Sequence, residues 1–171
     1  FIGEILDYSR NTRTSFSYDN IRFDELLNEV KENIINMAVA SGCELSFETE
    51  QSSDFISDRR RINIIFINLI SNGIKYRTEQ SGDSFVRVHV EASDKEANIV
   101  VEDNGIGISE SDYDKIFEMF ERVSTQSHGS GLGLYIAKET VEKLEGSIVV
   151  NSSLGKGSKF IVKIPNKNNL V

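Results

Sequence analysis

The chain has 171 residues, of which 39% are apolar and 27% charged, and this composition suits one globular domain with a core, alone or with a short additional element. Its net charge of −8 and pI near 4.9 exclude a general attraction to nucleic acid or anionic lipid, so a polyanionic ligand needs a metal or locally placed cations. One cysteine, Cys43, excludes a disulfide framework, fits a reducing cytoplasm and is expected to serve packing. No apolar run approaches the roughly 20 residues of a membrane span, so we expect a soluble chain without membrane contact.

The start of the chain predicts the end of a longer helix. Its apolar residues are spaced as one helical stripe, at Phe1, Ile2, Ile5 and Leu6. A polar, Ser/Thr-rich stretch follows, and the last residues, "NKNNLV", predict a frayed tail. We therefore divide the chain into an upstream helix end (1–10), a linker (11–17), one domain (18–165) and a tail (166–171).

Two helices are predicted in the first half of the domain. The stretch "FDELLNEVKENIINMAVASG" is amphipathic, and Gly42 marks its end. The apolar face of this helix consists of Leu26, Leu27, Val30, Ile34 and Met37. The second helix, "SDRRRINIIFINLISNGIKY", follows the alternating strand "CELSFET" and takes Ser57 or Asp58 as its cap.

Four further strands and one helix complete the predicted order. The strands "FVRVHVEAS" and "ANIVVEDNG" precede a helix that begins near Gly133, and "SIVVNS" and "KFIVKIP" follow it. In the first of these strands Val86, Val88 and Val90 occupy the buried face, so His89 is expected on the surface. The order lacks the strict strand–helix alternation of a doubly wound sheet and predicts a mixed β-sheet with helices on one face.

Glycines at every second position, Gly129, Gly131 and Gly133, precede the last helix in "SHGSGLGLYIAKE". This is not a P-loop, because Leu134 stands where a lysine is required, and not a dinucleotide fingerprint, because Ile136 replaces the third glycine. Glycines still let a backbone approach a phosphate, and the first turn of a helix offers free N–H groups and a positive dipole end. The stretch is consistent with a phosphate-binding loop; the alternative is a flexible loop that ends in a helix.

A second glycine cluster follows a strand in "VEDNGIGI", where Asp103 ends the strand and Gly105 and Gly107 come next. A carboxylate fixed at a strand end can accept a hydrogen bond from the exocyclic amine of an adenine, and the glycines allow a close turn. The alternative is an ordinary Asp-Asn-Gly turn.

Polar residues share one narrow stripe of the otherwise apolar second helix, at Asn68, Ser71, Asn72 and Lys75. No local partner is evident for the buried amides, which need one. An amide oxygen is a suitable hard ligand for Mg²⁺, and a lysine one turn on neutralises phosphate. The stripe therefore predicts one wall of a magnesium-nucleotide site, the alternative being satisfied core asparagines beside a solvated lysine.

Together these stretches resemble the catalytic, ATP-binding domain of sensor histidine kinases, in the superfamily that includes type II topoisomerases, a heat-shock chaperone and mismatch-repair ATPases. "NLISNGIKY" is similar to the N box, "DNGIGI" to the first glycine box and "IFEMF" to the F box. "GSGLGL" is similar to the second glycine box and "GKGS" to a third. The resemblance covers about Asp19 to Pro165 and implies a two-layer α/β sandwich of the Bergerat type with ATP and Mg²⁺ as cofactors.

The resemblance also implies roles for individual residues. Asn72 binds Mg²⁺ with Asn68 in support, and Asp103 accepts from the adenine amine. Lys75 and Arg122 act on the transferring phosphate and, with Asn68, form the implied catalytic set. The remaining implied nucleotide contacts are Tyr76, Gly105, Gly107, Gly129, Gly131, Leu132, Gly133, Leu134 and Ser158.

Some positions separate this sequence from hydrolysing relatives or from typical kinases. Asn68 stands where the hydrolysing relatives have a water-activating glutamate, and an amide cannot act as a base, which favours transfer to a protein nucleophile. Gly73 replaces a more frequent alanine, and Arg77 a frequent hydroxyl residue; both departures bear on affinity. Residues Glu121 to Ser130 correspond to the family's ATP lid.

Neither histidine has the helical, acidic context of the family's phosphoacceptor, since His89 is expected on a strand and His128 in the lid. We therefore expect the acceptor upstream of Phe1, on a dimerisation domain whose last turns are residues 1–10.

The implied partners are that domain and the receiver domain of a response regulator, and nucleic acid is not among them. The full protein is expected to be a homodimer and this chain a monomer. The expected location of the chain is the cytoplasm, and membrane anchoring of the full protein stays open. The rival hypotheses are a hydrolysing ATPase and a nucleotide-sensing module without transfer.

Overall fold

The computed structural model describes residues 15–78, 83–121 and 130–168. The strands in chain order are β1 (Asp19–Asn20), β2 (Cys43–Gln51), β3 (Ile56–Ser57), β4 (Ser84–Ala92), β5 (Glu96–Asp103), β6 (Ser147–Ser153) and β7 (Gly157–Pro165). The helices are α1 (Phe23–Ala40), α2 (Arg59–Lys75) and α3 (Gly133–Lys143), with short 3₁₀ turns at Glu110–Asp112 and Lys115–Phe117. None of these described helices is long and apolar enough to cross a membrane.

The main sheet has five strands in the order β2-β4-β5-β7-β6. β2 runs parallel to β4, and the other neighbouring pairs are antiparallel. Along β4 the residues alternate between buried and exposed, with Val86, Val88 and Val90 inside as predicted. The helices pack on this buried face, which confirms the predicted mixed sheet with helices on one face. The short pair β1 and β3, which the sequence did not predict, forms a separate two-stranded sheet.

α1 differs from its predicted face at one position. Leu26, Leu27, Val30 and Ile34 are buried as expected, whereas Met37 is 41% exposed and Ala38 is buried instead. The buried row continues in steps of four residues from Val30 through Ile34 to Ala38, and at the last turn this row faces the core in place of Met37. The prediction for Met37 is wrong, while the helix end at Gly42 is confirmed by its positive φ of 63°.

The start of α2 combines a cap with a buried ion pair. Asp58 caps the helix by accepting from the backbone N–H of Arg61 at 3.0 Å, which confirms one of the two predicted caps. The same carboxylate pairs with the Arg61 guanidinium, and both side chains are almost fully buried. Phe16 covers that guanidinium, whose central carbon lies 4.0 Å from the ring centroid, and the Ser17 N–H donates to Asp58 at 3.2 Å. The end of the predicted linker is thus attached to α2.

The start of the predicted frayed tail is also attached. Asn166 accepts from the Ile56 N–H at 2.9 Å and donates to the carbonyls of Asp54 and Ser93. The Lys167 N–H donates to the Ile56 carbonyl at 2.9 Å. A frayed segment therefore does not begin at Asn166. The helix end predicted for residues 1–10 lies outside the described residues.

Candidate functional site

An open cleft of about 370 Å³ lies between α2, the segment after β5 and the start of α3. The residues that line it are Asn72, Lys75, Tyr76, Ile116, Glu121, Ser130, Gly131, Gly133 and Leu134. Six of these belong to the predicted site. Ile116, Glu121 and Ser130 were not singled out individually, although "IFEMF" and the lid segment contain them.

The asparagine stripe of α2 faces the first residue of α3. A Cβ atom at Gly133 would lie 3.1 Å from Asn68 Oδ1 and 3.6 Å from both Oδ1 and Nδ2 of Asn72. Because Gly133 lacks that atom, space remains in front of both amides. An oxygen-seeking cation fits such a cradle, since amide oxygens are hard ligands. Among the described residues no group of three His, Cys, Asp or Glu side chains is arranged to hold a metal, so a cation here would depend on amide and ligand oxygens.

The polar side chains of this stripe are not all without local partners. Asn68 Nδ2 donates to the Ile64 carbonyl at 2.8 Å, and Ser71 Oγ donates to the Asn68 carbonyl at 3.2 Å. The expectation that the amides have no local partner is therefore wrong for Asn68. The bond from Asn68 Nδ2 fixes its side-chain amide, whose Oδ1 lies next to Gly133 at the start of α3. Within the described ranges, no hydrogen bond engages the side chain of Asn72.

Asp103 lies behind the same helix, at the end of β5, and is 9% exposed. Its Oδ1 accepts from the backbone N–H groups of Gly105 at 2.8 Å and Ser158 at 3.3 Å. Burial raises the pKa of this carboxyl to about 6, against the opposing effect of these two hydrogen bonds. Gly73 of α2 packs on it, because a Cβ at Gly73 would lie 3.3 Å from Asp103 Cβ. Within the part of the chain that the structure describes, no hydrogen bond engages Asp103 Oδ2.

The glycines after Asp103 allow chain segments to touch one another. A Cβ at Gly105 would come within 2.4 Å of the Tyr76 carbonyl, which also accepts from the Ile106 N–H at 2.9 Å. Gly107 has a φ of +69°, and its Cβ would lie 2.0 Å from the Ser153 carbonyl. No side chain fits at either position. This loop is therefore held between the end of α2 and the β6–β7 hairpin.

The second glycine cluster, of which Gly131 and Gly133 are described, lines the cleft on the side opposite α2. Gly131 has a φ of +72°, and its carbonyl accepts from the Phe120 N–H at 3.1 Å. Leu134 lines the cleft, whereas Leu132 does not line it and is only 3% exposed. α3 begins at Gly133, so the positive end of its dipole points at the cleft. Arg122, Gly129 and His128 lie outside the described residues.

The structure thus brings most predicted site residues to two neighbouring places. One is the cleft, and the other, here called the Asp103 pocket, is formed by Asp103 with Gly73, Gly105 and Ser158. Ser158 belongs to the second: its side chain is 7% exposed, and its backbone N–H reaches Asp103. His89 is distant from both in the fold, on the opposite face of the sheet between Glu48 and Glu91, with its ring nitrogens 3.6 and 3.2 Å from their carboxylates. Its predicted outward position is confirmed.

Comparison with known proteins gives consistent matches. Residues 57–168 match the family model described as histidine kinase-, DNA gyrase B- and HSP90-like ATPase. The autoinducer 2 sensor kinase/phosphatase LuxQ of Vibrio harveyi is 32% identical over 98% of this chain but 21% of its own length, so the chain spans about a fifth of that relative. The nucleotide-free catalytic domain of histidine kinase ThkA is 28% identical, with a TM-score of 0.74 over 90% of this chain and 97% of that domain. A structure of ThkA in complex with the response regulator protein TrrA is 27% identical, with a TM-score of 0.71 over 97% of this chain and 46% of that one.

Proposed function

The chain belongs to the histidine kinase-, DNA gyrase B- and HSP90-like ATPase family and has the α/β Bergerat fold of histidine kinase catalytic domains, and from this premise we propose how it acts. We propose that it binds Mg·ATP and presents the γ-phosphate to a histidine on a separate dimerisation domain. One observation carries the proposal: Asn72, Lys75 and the start of α3 face one cleft, and Asp103 is buried behind the same helix at Gly73.

The adenine end of the proposed site rests on Asp103. Its Oδ1 is already engaged by two backbone N–H groups, which fix the carboxylate in place. Oδ2 is then available to accept from the exocyclic amine of adenine. The backbone N–H of Ser158 contributes to this placement, and the glycine loop 105–107 closes the pocket.

The phosphate end rests on α2 and the start of α3. Mg²⁺ would supply charge neutralisation between phosphate oxygens, and the residues that fit it are Asn72 with Asn68 in support. Lys75 lines the cleft one turn beyond Asn72 and would meet phosphate, with Tyr76 beside the ribose or phosphates. The backbone around Gly131 and Gly133, together with Gly129 and Arg122, would surround the triphosphate.

Transfer to histidine fits these residues better than hydrolysis. Asn68, whose amide donates to the Ile64 carbonyl, offers no basic group to activate water. The proposed reaction is in-line attack by an imidazole nitrogen on the γ-phosphorus, with ADP leaving, and Lys75 and Arg122 stabilise the spreading charge. The role of the domain is mainly to hold the reacting groups in position.

The acceptor and the partners are also part of the proposal. His89 lies on the face of the sheet away from the cleft, so the acceptor histidine would be on the dimerisation domain. From there the phosphoryl group would pass to a response regulator, the class of partner that the solved ThkA complex contains.

We further propose a cytoplasmic location, a homodimeric full protein and a monomeric isolated chain. Light scattering that gave a dimer mass for this chain would contradict the last point.

Calorimetric titration with ATP, with and without Mg²⁺, tests the site directly. The chain is expected to bind ATP with an affinity that increases with Mg²⁺. Asn72→Ala should abolish the metal dependence, and Asp103→Asn should abolish binding. Asn63→Ala, at the far end of the same helix, is the matched control and should bind normally. An unaltered chain without affinity for ATP would overturn the proposal.

A second measurement separates the three candidate activities. A longer chain that includes the acceptor helices should become labelled on histidine from γ-labelled ATP, with slow release of free phosphate. Rapid phosphate release without labelling would support the hydrolysing ATPase. Binding with neither result would support a nucleotide-sensing module.

A further inference from the structure

The side-chain oxygen of Ser152 joins two backbone segments that both reach Asp103. Ser152 Oγ accepts from the Ile108 N–H at 2.8 Å and donates to the Gly157 carbonyl at 2.7 Å. A third contact, to Ser158 Oγ at 3.0 Å, completes one donated and two accepted bonds when Ser158 is the donor. The hydrogen-bonding capacity of this hydroxyl is therefore fully used.

Each of these segments supplies one donor to Asp103. The loop that includes Ile108 also includes Gly105, whose N–H donates to Asp103 Oδ1 at 2.8 Å. Ser158 follows Gly157 and donates its N–H to the same oxygen at 3.3 Å. The sheet register places Asp103 opposite Ser158, and Ser158 opposite Ser152, in one row across β5, β7 and β6. One hydroxyl two strands away thus bonds to both backbone segments that carry the donors of the buried carboxylate.

The backbone of Ser152 connects the same row to the cleft. The Tyr113 hydroxyl accepts from the Ser152 N–H at 2.7 Å and donates to the Ser152 carbonyl. Tyr113 lies two residues before the turn Lys115–Phe117, which includes the cleft residue Ile116. Phe117 of the same turn packs edge-on against Phe160 of β7, with ring centroids 6.4 Å apart. This segment therefore has two points of attachment to the β6–β7 hairpin.

We propose that Ser152 and Tyr113 are positioning residues for the nucleotide: Ser152 Oγ orients the backbone donors of Asp103, and Tyr113 holds the Ile116 wall of the cleft. The inference rests on the proposed function for the identity of the ligand. The tethering of Asp103, however, is a property of the protein without nucleotide. It can be measured whether or not ATP binds.

Other ionisable groups near Asp103 also influence its pKa and must stay unchanged in the variants. Glu102 on its own strand raises the pKa of Asp103 and is itself paired with Lys159 of β7 at 3.2 Å. On β2 the Cys43 thiol interacts electrostatically with Asp103, and the residue of α2 packed on it is the uncharged Gly73. None of these groups is altered by substitution of Ser152.

The test is an NMR titration of the Asp103 carboxyl in the nucleotide-free chain. Ser152→Ala loosens both donor segments, so the midpoint should move upward by about 0.5 to 1 pH unit, within the effect of a hydrogen bond to a charged group. Ser152→Thr keeps the hydroxyl and should restore the original midpoint. Ser153→Ala, the exposed neighbour on the same strand, is the matched control and should leave it unchanged. An unchanged midpoint in Ser152→Ala, or an equal shift in Ser153→Ala, would overturn this role.

Two further variants complete the test. Ser152→Cys nearly keeps the size of the side chain and weakens its hydrogen bonds. It should therefore also move the Asp103 midpoint upward, and it replaces Ser152→Ala if that variant does not fold. Tyr113→Phe should reduce ATP affinity by about three- to tenfold, because it releases the cleft wall from β6. It should shift the Asp103 midpoint less than Ser152→Ala does, because the Ser152 hydroxyl remains in place. Unaltered affinity in Tyr113→Phe would overturn the second role. Absence of ATP binding by the unaltered chain would instead refute the proposed function, whatever the titration gives.

Discussion

Gly133, the first residue of α3, lies directly against Asn68 of α2, so that a Cβ atom at position 133 would come within 3.1 Å of Asn68 Oδ1. The contact joins the asparagine stripe to the second glycine cluster, two motifs that are about 60 residues apart in the sequence. It also leaves the amides of α2 facing the cleft with space in front of them. The size of this one residue therefore controls access to the proposed metal position.

Gly133→Ala should separate binding from folding. The added methyl group displaces Asn68 Oδ1 by a few tenths of an ångström, so Mg·ATP affinity is expected to fall about tenfold. Alanine favours helix over glycine by at most about 1 kcal/mol, the value for a helix interior, and this partly offsets the crowding at the first helical position, so the free energy of unfolding should change little. Calorimetry with and without Mg²⁺ and thermal unfolding measure the two effects. Glu142→Ala, near the other end of α3, is the control; equal affinities for both variants would refute the assignment.

Asp103→Asn should stabilise the nucleotide-free chain above pH 6. The pKa of Asp103 is about 6 in the folded state against an ordinary value of 3.8, so the folded state binds the proton more tightly. The free energy of unfolding therefore falls as the pH rises from about 4 to 6, and the charged carboxylate costs about 3 kcal/mol at pH 8. Urea unfolding at pH 4 and pH 8 should give no difference between the two proteins at pH 4 and a more stable asparagine variant at pH 8. A less stable variant at pH 8 would show that the carboxylate contributes to folding.

Gly73→Ala should destabilise the fold through one specific contact. The new Cβ would lie 2.7 Å from Val86 Cγ2 and 3.3 Å from Asp103 Cβ, and such overpacking costs about 1 to 3 kcal/mol. Val86→Ala alone removes a fully buried side chain and is also destabilising. The double variant should lose less than the sum of the two by about 1 kcal/mol, because each change relieves the other. Strict additivity in the double-mutant cycle would mean that the two positions do not share this space.

Asp58→Ala should be among the most damaging single changes. It removes a helix cap and the buried carboxylate that pairs with the Arg61 guanidinium, and the loss of one partner of a buried ion pair costs about 3 to 5 kcal/mol. The attachment of Ser17 and Phe16 should loosen at the same time, because the Ser17 N–H bonds to this carboxylate. Urea unfolding measures the first effect, and limited proteolysis after Phe16 or Tyr18 measures the second. Asp24→Ala in the exposed pair with Arg22 is the control and should have no measurable effect on stability.

Local sequence pattern was sufficient to predict the helices and the strands of the main sheet. Apolar periodicity predicted all three described helices and all five strands of the main sheet, because each buries one face with its own period. It did not predict β1 and β3, which have two residues each and are defined by their pairing and not by a repeating pattern. The exposure of Met37 was missed for a related reason, since periodicity does not tell where along a helix the core ends.

The sequence by itself determined which residue types are available for chemistry: the amides of α2, the carboxylate Asp103 at a strand end, and glycines at two turns. Only the tertiary structure decided what each of them touches. The positive φ of Gly131, the backbone contacts of Gly105 and Gly107, and the burial that raises the pKa of Asp103 all depend on segments that are distant in the chain. The same holds for Ser152, which is an ordinary strand residue in the sequence. It bonds to two separate backbone segments only because the sheet register places it opposite Ser158. Local preferences are fixed by neighbouring residues, whereas desolvation, close packing and shared hydrogen bonds arise only when separate segments meet.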